Sequence, residues 1–365
     1  MSRTYRAAVI GLGRMGSTFD DEMKIGSGVF VPFCHTPSYV HSPRTELVGG
    51  ADPHDEQRSI YAERWGVQGH VYADYREMLE KENPDVVSVS TTARLRSQIV
   101  EEVAASGVKA IWAEKPISLT LEEADRMLEA CARHSVKLAV NCARRYHPLF
   151  QRAQETIAAG AIGEPLQITA YAECHLSHNG SHAIDTIRYL VGGHVQWVFG
   201  EMASDEAAAA DEDQPGNGYL AFENGARGLL RSMSSGPAAG WEFDVLGTEG
   251  RIRGLFNGNE WEQWTTTADG DPARVVFKGV PWIQGMGLTI VDDLLTAVES
   301  DGKPRCSGED AREALEIAMA MRESHRRGGV KVALPLADRS LAILSGEIAN
   351  DHTPSRVRRL QAEKG

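Results

Sequence analysis

The first part of the chain alternates short β-branched apolar runs with amphipathic stretches of helical period. Such alternation is typical of βαβ units that build a parallel sheet with helices on its faces. Two of the helices carry start signals, since Asp74 precedes Glu77 and Thr120 precedes Glu123 by the three positions of a capping box. The strands are predicted at residues 6–10, 47–51, 86–90, 110–113 and 138–140. Residues 1–140 are therefore predicted to form an α/β domain.

The pattern changes after residue 140. Apolar and polar residues alternate over 166–172, as in a half-buried strand. Asn224-Gly225 predicts a hairpin between 219–222 and 228–231, because Asn-Gly can supply both positive-φ positions of its turn. We predict an α+β domain with a large, mainly antiparallel open sheet over 141–345.

Helical patterns return only near the end of this second region. They cover residues 288–298 and 311–322. Residues 204–218 are predicted to be an exposed loop or a short helix, and residues 346–365 a basic C-terminal tail.

Composition narrows the class of protein. The 365 residues fit about two domains. The net charge of −13 argues against a nucleic-acid partner, which needs clustered cations, and is easier to reconcile with small neutral or cationic ligands. Five scattered cysteines without a CxxC pair predict neither a disulfide framework nor a thiolate zinc site, so a reducing cytoplasm is expected. We predict no export signal and no membrane span.

A glycine-rich turn directly follows the first predicted strand. It reads Gly11-Leu12-Gly13-Arg14-Met15-Gly16, the GxGxxG spacing at which backbone can approach a pyrophosphate while the next helix offers its N–H groups. In this position the motif predicts a dinucleotide site that includes Arg14 and Met15. The first domain is accordingly predicted to be a Rossmann domain.

Asp52 ends the second predicted strand. A carboxylate there accepts hydrogen bonds from the adenosine ribose and repels a 2′-phosphate, which favours NAD over NADP. The alternative is a surface aspartate that opens an Asx turn with Pro53. Asp52 lies 36 positions after Gly16, whereas about 20 residues are usual. Residues 17–44 are therefore predicted to be a loop insertion near the phosphates or the mouth of the active site.

Two further motifs carry candidate chemistry. Glu114-Lys115-Pro116 follows the fifth strand, and a later segment, residues 178–185, reads HNGSHAID. Together with the glycine turn, their order and spacing resemble the glucose-fructose oxidoreductase / inositol dehydrogenase / rhizopine-catabolism family (Gfo/Idh/MocA). The resemblance covers nearly the whole chain. It implies a second domain whose open sheet mediates oligomerisation, and we expect a homodimer or homotetramer.

The resemblance also implies catalytic roles. Lys115 matches the lysine that reaches the substrate hydroxyl and the nicotinamide ribose, and His182 matches the histidine that exchanges the hydroxyl proton. Removal of hydride from a carbinol needs a proton acceptor whose pKa is near the working pH, and histidine meets that condition. Taken alone, Lys115 also fits a surface lysine, and His182 a capping or core histidine.

Other site residues follow from the same resemblance. Thr91, Thr92 and Glu114 are expected beside the cofactor, and Asn179 beside the substrate. Arg145 matches an arginine that contacts substrate in polyol-oxidising relatives, and its alternative is an exposed arginine in a salt bridge.

His178 departs from the family pattern, which usually has an aspartate there. We predict a substrate-binding histidine. The spacing of His178 and His182, four apart on a possible helix, also fits zinc ligands, and a histidine without a role is a further alternative. We predict no metal, because the lysine and dinucleotide signals already account for hydride transfer.

The function predicted is that of an NAD-dependent oxidoreductase. It would transfer a hydride between nicotinamide and a hydroxyl of a polyol, sugar or sugar derivative. One alternative is an NAD-dependent glycosidase that acts through a transient keto-sugar. The other is a non-catalytic dinucleotide-binding regulatory protein, motivated by His178 in place of the aspartate.

Overall fold

The structure is a computed structural model that describes residues 4–23, 29–232, 241–278 and 284–344. The predicted tail at 346–365 lies outside the described residues.

The first sheet is parallel and six-stranded, in the order β3-β2-β1-β4-β5-β6. This order is that of a doubly wound dinucleotide-binding sheet, so the predicted Rossmann class is confirmed. The five predicted strands are present, with ends that differ by two residues at most. The strands are β1 Tyr5–Ile10, β2 Thr45–Ala51, β3 Val71–Tyr72, β4 Val86–Val89, β5 Ala110–Ala113 and β6 Lys137–Val140.

Helices cover both faces of this sheet. The capping box at Thr120 is present, whereas Asp74 accepts only from the backbone N–H of Arg76 and caps its helix without a reciprocal bond. Apolar residues of α4 and α5 belong to one buried core with β4 and β5. The helices of this half are α1 His35–His41, α2 Asp55–Trp65, α3 Tyr75–Glu82, α4 Ala93–Ala105 and α5 Leu121–Arg133.

The prediction of a loop at residues 17–44 was wrong for much of that segment. It begins within a turn of π-helix, Arg14–Thr18, continues as a 3-10 helix, Phe19–Glu22, and later forms α1. His35, Thr36 and Ser38 are fully buried. Their polar atoms find hydrogen-bond partners inside the protein, which is why these polar residues can form a core helix.

The second sheet has nine strands, in the order β14-β13-β12-β11-β7-β10-β9-β8-β15. All neighbours are antiparallel except β7 and β10, so the predicted mainly antiparallel sheet is confirmed. The predicted hairpin joins β9 and β10, but only Gly225 of its turn has a positive φ, +89°. The strands are β7 Pro165–Tyr171, β8 Val195–Met202, β9 Gly216–Phe222, β10 Arg227–Arg231, β11 Glu242–Gly247, β12 Gly250–Leu255, β13 Glu260–Thr266, β14 Pro272–Lys278 and β15 Val332–Ala333.

One face of this sheet packs against helices. The segment 204–218 was predicted to be an exposed loop or a short helix. The short helix is present as α8, whereas Asp213 is buried and β9 begins at Gly216, so the segment is not exposed throughout. The predicted helices near 288–298 and 311–322 are present. The helices of this half are α6 Pro148–Ala158, α7 Gly180–Val191, α8 Asp205–Ala209, α9 Met286–Ser300 and α10 Gly308–Arg326, with 3-10 turns at Ala143–Tyr146 and Phe256–Gly258.

The two halves share their cores. Ile290, Leu294 and Leu295 of α9 pack with Tyr5 and Trp112 of the first sheet, whereas α10 packs against β8 and α7. Among the described residues, no helix is both long enough and apolar enough to cross a bilayer.

Candidate active site

A cleft of about 750 Å³ lies where the carboxyl ends of β1, β4 and β5 face the second sheet domain. Ligands of doubly wound sheets bind at this edge, where the strand order reverses between β1 and β4. Most of the predicted site residues meet there, and they come from segments far apart in sequence. Those that line the cleft are Arg14, Met15, Thr91, Thr92, Glu114, Lys115, His178, Asn179 and His182.

The glycine turn leaves the space that a dinucleotide pyrophosphate needs. Gly11 has a φ of +88°, and a Cβ at Gly16 would lie 2.0 Å from the carbonyl oxygen of Gly11. A Cβ at Gly13, by contrast, would meet nothing within 4 Å. The two outer glycines therefore allow the tight turn, and the middle one allows close approach of a ligand to the backbone.

Asp52 is buried beneath this turn. One carboxylate oxygen accepts from the backbone N–H of Leu12 at 3.0 Å, and the other from the backbone N–H of His54 at 3.0 Å. The second bond is the Asx turn considered from sequence, but the residue is 8% exposed rather than on the surface. The imidazole of His54 lies 2.9 Å from the same oxygen. A carboxylate has about four acceptor sites, so these bonds leave acceptor capacity for a ribose hydroxyl.

Glu114 is the residue before the predicted catalytic lysine, and neighbouring protein groups hold its carboxylate. Its carboxylate accepts from Asn141 at 2.5 Å and from the backbone N–H of Lys115 at 3.2 Å, and the ring of His35 lies 3.2 Å away. Burial raises the pKa of Glu114, but these hydrogen bonds and charges outweigh it, and the net shift is downward. Glu114 thus fixes the backbone at Lys115. Sequence reasoning missed His35 and Asn141.

Arg96 joins two of the strand ends. Its guanidinium donates to the carbonyl oxygens of Thr91, after β4, and Pro116, after β5. The side-chain oxygen of Thr91 is buried and has no hydrogen-bond partner among the described residues. Thr91 is one of the residues that line the cleft.

The ammonium of Lys115 reaches across the cleft. Its Nζ lies 3.3 Å from the amide oxygen of Asn179 and 3.5 Å from Nε2 of His178. Burial lowers the pKa of Lys115, against the opposing charge of Glu114. The positive charge so close to His178 works against a cation there, so the zinc alternative finds no support in this geometry.

His182 lies in the first turn of α7, at the wall of the cleft. Its Nδ1 is buried and has no partner among the described residues. Burial lowers the pKa of His182 well below its usual value, and the charges of Lys115 and Arg144 lower it further. The imidazole is therefore neutral at neutral pH and able to accept a proton.

The loop before α7 is held by Asp213. Its carboxylate accepts from the backbone N–H groups of Ser177 at 2.8 Å and His178 at 2.7 Å. Because α7 begins at Gly180, His178 lies outside the helix on which sequence spacing placed it. Asp213 carried no sequence signal, since it lies 35 positions away, in a segment predicted to be exposed.

Arg145 requires a correction, because the structure does not bring it to the cleft. It is 8% exposed, and its guanidinium binds the buried carboxylate of Asp185 at 2.7 Å and Asp310 at 3.1 Å. The salt-bridge alternative was right, although the pair is buried rather than exposed. Its neighbour Arg144 lines the cleft instead.

Family models match both halves of the chain. The model described as the NAD-binding Rossmann fold of the GFO_IDH_MocA oxidoreductase family matches residues 5–142, and the model of its C-terminal alpha/beta domain matches residues 169–334. The chain belongs to the Gfo/Idh/MocA oxidoreductase family. The NAD-binding Rossmann domain and the oxidoreductase class predicted from sequence are thereby confirmed.

Curated members of this Gfo/Idh/MocA family align over most of the chain. A myo-inositol 2-dehydrogenase of Thermotoga maritima is 27% identical over 341 residues, which cover 87% of this chain and 96% of the relative. A D-apiose dehydrogenase of Paraburkholderia graminis is 28% identical and covers 83% of this chain and 87% of its own length. Among solved structures, a levoglucosan dehydrogenase in complex with NADH and levoglucosan superposes with a TM-score of 0.76. It is 20% identical and covers 92% of this chain and 100% of its own.

Proposed function

We propose that this oxidoreductase is an NAD-dependent dehydrogenase that acts on a hydroxyl of a polyol, sugar or sugar derivative. The observation that carries the proposal is the meeting of the Lys115 ammonium, Asn179 and a neutral His182 beside the glycine turn. The names of the aligned relatives, which are dehydrogenases of inositol and apiose, support the substrate class.

The cofactor would be held by the residues around the first sheet. NAD, when bound, supplies the hydride acceptor of the reaction. The backbone at Gly11, Gly13 and Gly16 would bind its pyrophosphate, and Asp52 its adenosine ribose. Around the nicotinamide end we assign Arg14, Met15, Thr91, Thr92, Glu114 and Lys115.

Two side chains would act on the substrate hydroxyl. Lys115 would donate a hydrogen bond to the carbinol oxygen and stabilise negative charge that develops on it. His182 would accept the hydroxyl proton at a ring nitrogen, for which a lowered pKa keeps it unprotonated. Asn179 and His178, whose side chains lie next to the Lys115 ammonium, would orient the substrate.

Substitution of these two residues tests the proposal. Lys115→Met and His182→Gln should each lower kcat by about 10² to 10⁴-fold, the range of a general acid-base group, while each variant still binds NADH. NADH absorbance is measured with NAD and a panel of polyols, sugars and aryl glycosides. Lys303→Met serves as the control, because that side chain is 75% exposed and outside the cleft. Near-normal turnover in either variant would remove that residue from the mechanism.

The same assay separates the alternatives. NADH formed without release of aglycone supports the dehydrogenase. Aglycone released without net NADH would instead favour the glycosidase. NADH binding with neither reaction across the panel would favour a regulatory protein.

We also propose a homodimer or homotetramer that assembles through the open face of the second sheet. Trp197, Phe199 and Tyr219 form an aromatic cluster there, with ring centroids 5.4 Å and 5.8 Å from Trp197, and Phe199 is 39% exposed. Exposed apolar clusters of this kind mark interaction surfaces. Light scattering of the purified protein checks the mass, and a monomer would contradict the proposal.

A cytoplasmic location and a domain boundary near residue 140 complete the proposal. All five cysteines are buried and free, which fits a reducing compartment. The first sheet ends at Val140, while α9 returns to pack on it from the second half. Thiol titration of freshly isolated protein checks that the cysteines are free, as a reducing compartment requires. Limited proteolysis checks the domain boundary near residue 140.

A further inference from the structure

Arg144 is a cation for which the described part of the chain supplies no hydrogen-bond acceptor. It lies in the 3-10 turn after β6, and its guanidinium carbon is 3.8 Å from the centre of the Trp241 ring. Among the described residues, no carboxylate or carbonyl oxygen accepts a hydrogen bond from this guanidinium. Burial lowers the pKa of Arg144 to about 10, so the group stays charged at neutral pH. Unpaired charge in a desolvated place is costly, and such a cost is usually offset by a ligand.

His147 adds a donor to the same wall of the cleft. Its Nδ1 accepts from the backbone N–H of Leu149 at 3.2 Å, at the start of α6. Burial and then the charge of Arg144 lower the pKa of His147 to about 4. The ring is therefore neutral at neutral pH, and Nε2 is the nitrogen that carries hydrogen.

This Nε2–H has no acceptor within the described ranges. The residue is only 2% exposed, and its ring packs between Phe30 and Phe150, at centroid distances of 5.0 Å and 5.3 Å. Because the ring cannot turn away to water, the buried donor needs an acceptor from inside the cleft.

The charge of the cleft is opposite in sign to that of the whole chain. Four cations line it, Arg96, Lys115, Arg144 and Arg14, the last of which pairs with Glu22. Within the described ranges, Glu114 is the one acidic residue of the lining. The carboxylate of Glu114 is already bound by protein donors. The neutral or cationic ligand suggested by the net charge of −13 therefore does not match the local field.

We propose that Arg144 and His147 form a subsite for a carboxylate of the substrate. The substrate would then be a polyhydroxy acid, in which one hydroxyl meets Lys115 and His182 and a carboxylate meets Arg144 and His147. The inference rests on the proposed dehydrogenase function and narrows its substrate class.

A carboxylate fits these donors better than a phosphate. Trp241 covers one face of the guanidinium, so its N–H groups are offered from the edge of a planar fork, which matches a planar carboxylate. The one cation, Arg144, balances a single negative charge, and the neutral His147 adds a hydrogen bond. Phosphate sites more often combine several cations around one group.

Matched substrate pairs test the subsite. D-glucose, D-galactose and D-glucitol are compared with D-glucuronate, D-galacturonate and D-gluconate, with D-glucose 6-phosphate as a phosphate arm. Two quantities are measured: kcat/KM with NAD, and the affinity of each compound for the enzyme–NADH complex by calorimetry. At least one acid should bind about tenfold or more tightly than its neutral partner, as expected for a charge-assisted pair.

The variant Arg144→Gln should remove that preference. It should weaken binding of the preferred acid about 10 to 100-fold and change binding of the neutral partner less than about threefold. Arg144→Lys should recover part of the loss, which separates lost charge from misfolding. Arg152→Gln is the matched control, since its guanidinium also lies over an aromatic ring, 4.5 Å from the centre of Phe277, but on the outside of the protein.

The two proposals fail in different ways. Turnover of neutral sugars without preference for any acid overturns the subsite and leaves the dehydrogenase intact. Acid binding that depends on Arg144, without turnover of any compound, supports the subsite and counts against the dehydrogenase. A preference for glucose 6-phosphate over all acids, or equal losses for acid and neutral partner in Arg144→Gln, overturns the carboxylate assignment.

Discussion

Arg144 and Arg145 are neighbours in sequence and lie in opposite environments. Arg145 points into a buried ion-pair cluster and binds the carboxylates of Asp185 and Asp310. Arg144 points into the cleft beneath Trp241 and binds no carboxylate of the described residues. Both groups are largely desolvated, so the difference lies in what satisfies them. Arg145 finds its acceptors within the protein, whereas for Arg144 we propose an acceptor on the substrate.

This difference separates stability from function. A buried charge with its partner holds elements together, because loss of either member leaves the other uncompensated. A buried charge without a partner costs stability, and it is available to bind a ligand. Whether a buried arginine stabilises the fold or binds a ligand therefore depends on the acceptors around it rather than on its residue type.

The largest expected effect comes from breaking the buried cluster. Arg145→Met should lower the free energy of unfolding by about 3 to 5 kcal/mol, because Asp185, which is 0% exposed, loses its counter-charge. Urea unfolding without ligand measures the change. Arg144→Met is the matched control and should cost no more than about 1 kcal/mol, the scale of one cation–π contact. Equal losses in the two variants would contradict the comparison, and replacing Asp185 by Leu as well should recover part of the Arg145 loss.

A second effect concerns stability against pH. His147 has a pKa of about 4 in the folded protein, below the value of about 6.5 expected for the unfolded chain. Between these values the unfolded state binds more protons, so the stabilisation present above pH 6.5 is lost as the pH falls toward 4. The loss amounts to about 3 kcal/mol.

His147→Asn tests this dependence, because asparagine keeps the helix cap but cannot titrate. Urea unfolding of the variant at pH 7, 6 and 5 should give a shallower decline than that of the wild type. His134→Asn, at an exposed position after α5, is the control and should leave the slope unchanged. Parallel curves for His147→Asn and wild type would show that this imidazole does not titrate as expected.

The smallest effect concerns Asp52, a carboxylate that the protein satisfies only in part. Asp52→Asn keeps an acceptor for the N–H of Leu12 but removes the charge, so NAD should bind about 1 to 3 kcal/mol more weakly and the gap to NADP should narrow. Calorimetry measures the affinity of the variant for NAD and for NADP. Asp55→Asn, at an exposed neighbouring position, is the control. Equal affinity of the wild type for NAD and NADP would rule out this role of Asp52.

The parts of the molecule that sequence predicted are those with local signals. Strand periodicity, the GxGxxG turn and the capping box at Thr120 depend on residues a few positions apart, and the structure has them where expected. The order of the glycine turn, Lys115 and His182 predicted the cleft, because parallel strands present their carboxyl ends at one edge.

The parts that sequence missed depend on distant partners or on the direction of a turn. His35 meets Glu114 across 79 positions, and no local pattern records that contact. Whether Arg144 or Arg145 faces the cleft is decided by a four-residue 3-10 turn, in which adjacent side chains point different ways. Hydrophobic periodicity carries no information about such a choice.

The inserted segment at residues 17–44 has a consequence for protein engineering. Its helix α1 places the ring of His35 3.2 Å from the Glu114 carboxylate and 3.8 Å from the centre of the Trp112 ring, and Thr36 donates to the carbonyl oxygen of Gly16 at 2.6 Å. A chimera that exchanged this segment for a shorter connection would remove support from the glycine turn and from the residue before Lys115 together. Grafting between homologues should therefore move the segment with its contacts on β4 and β5 as one block.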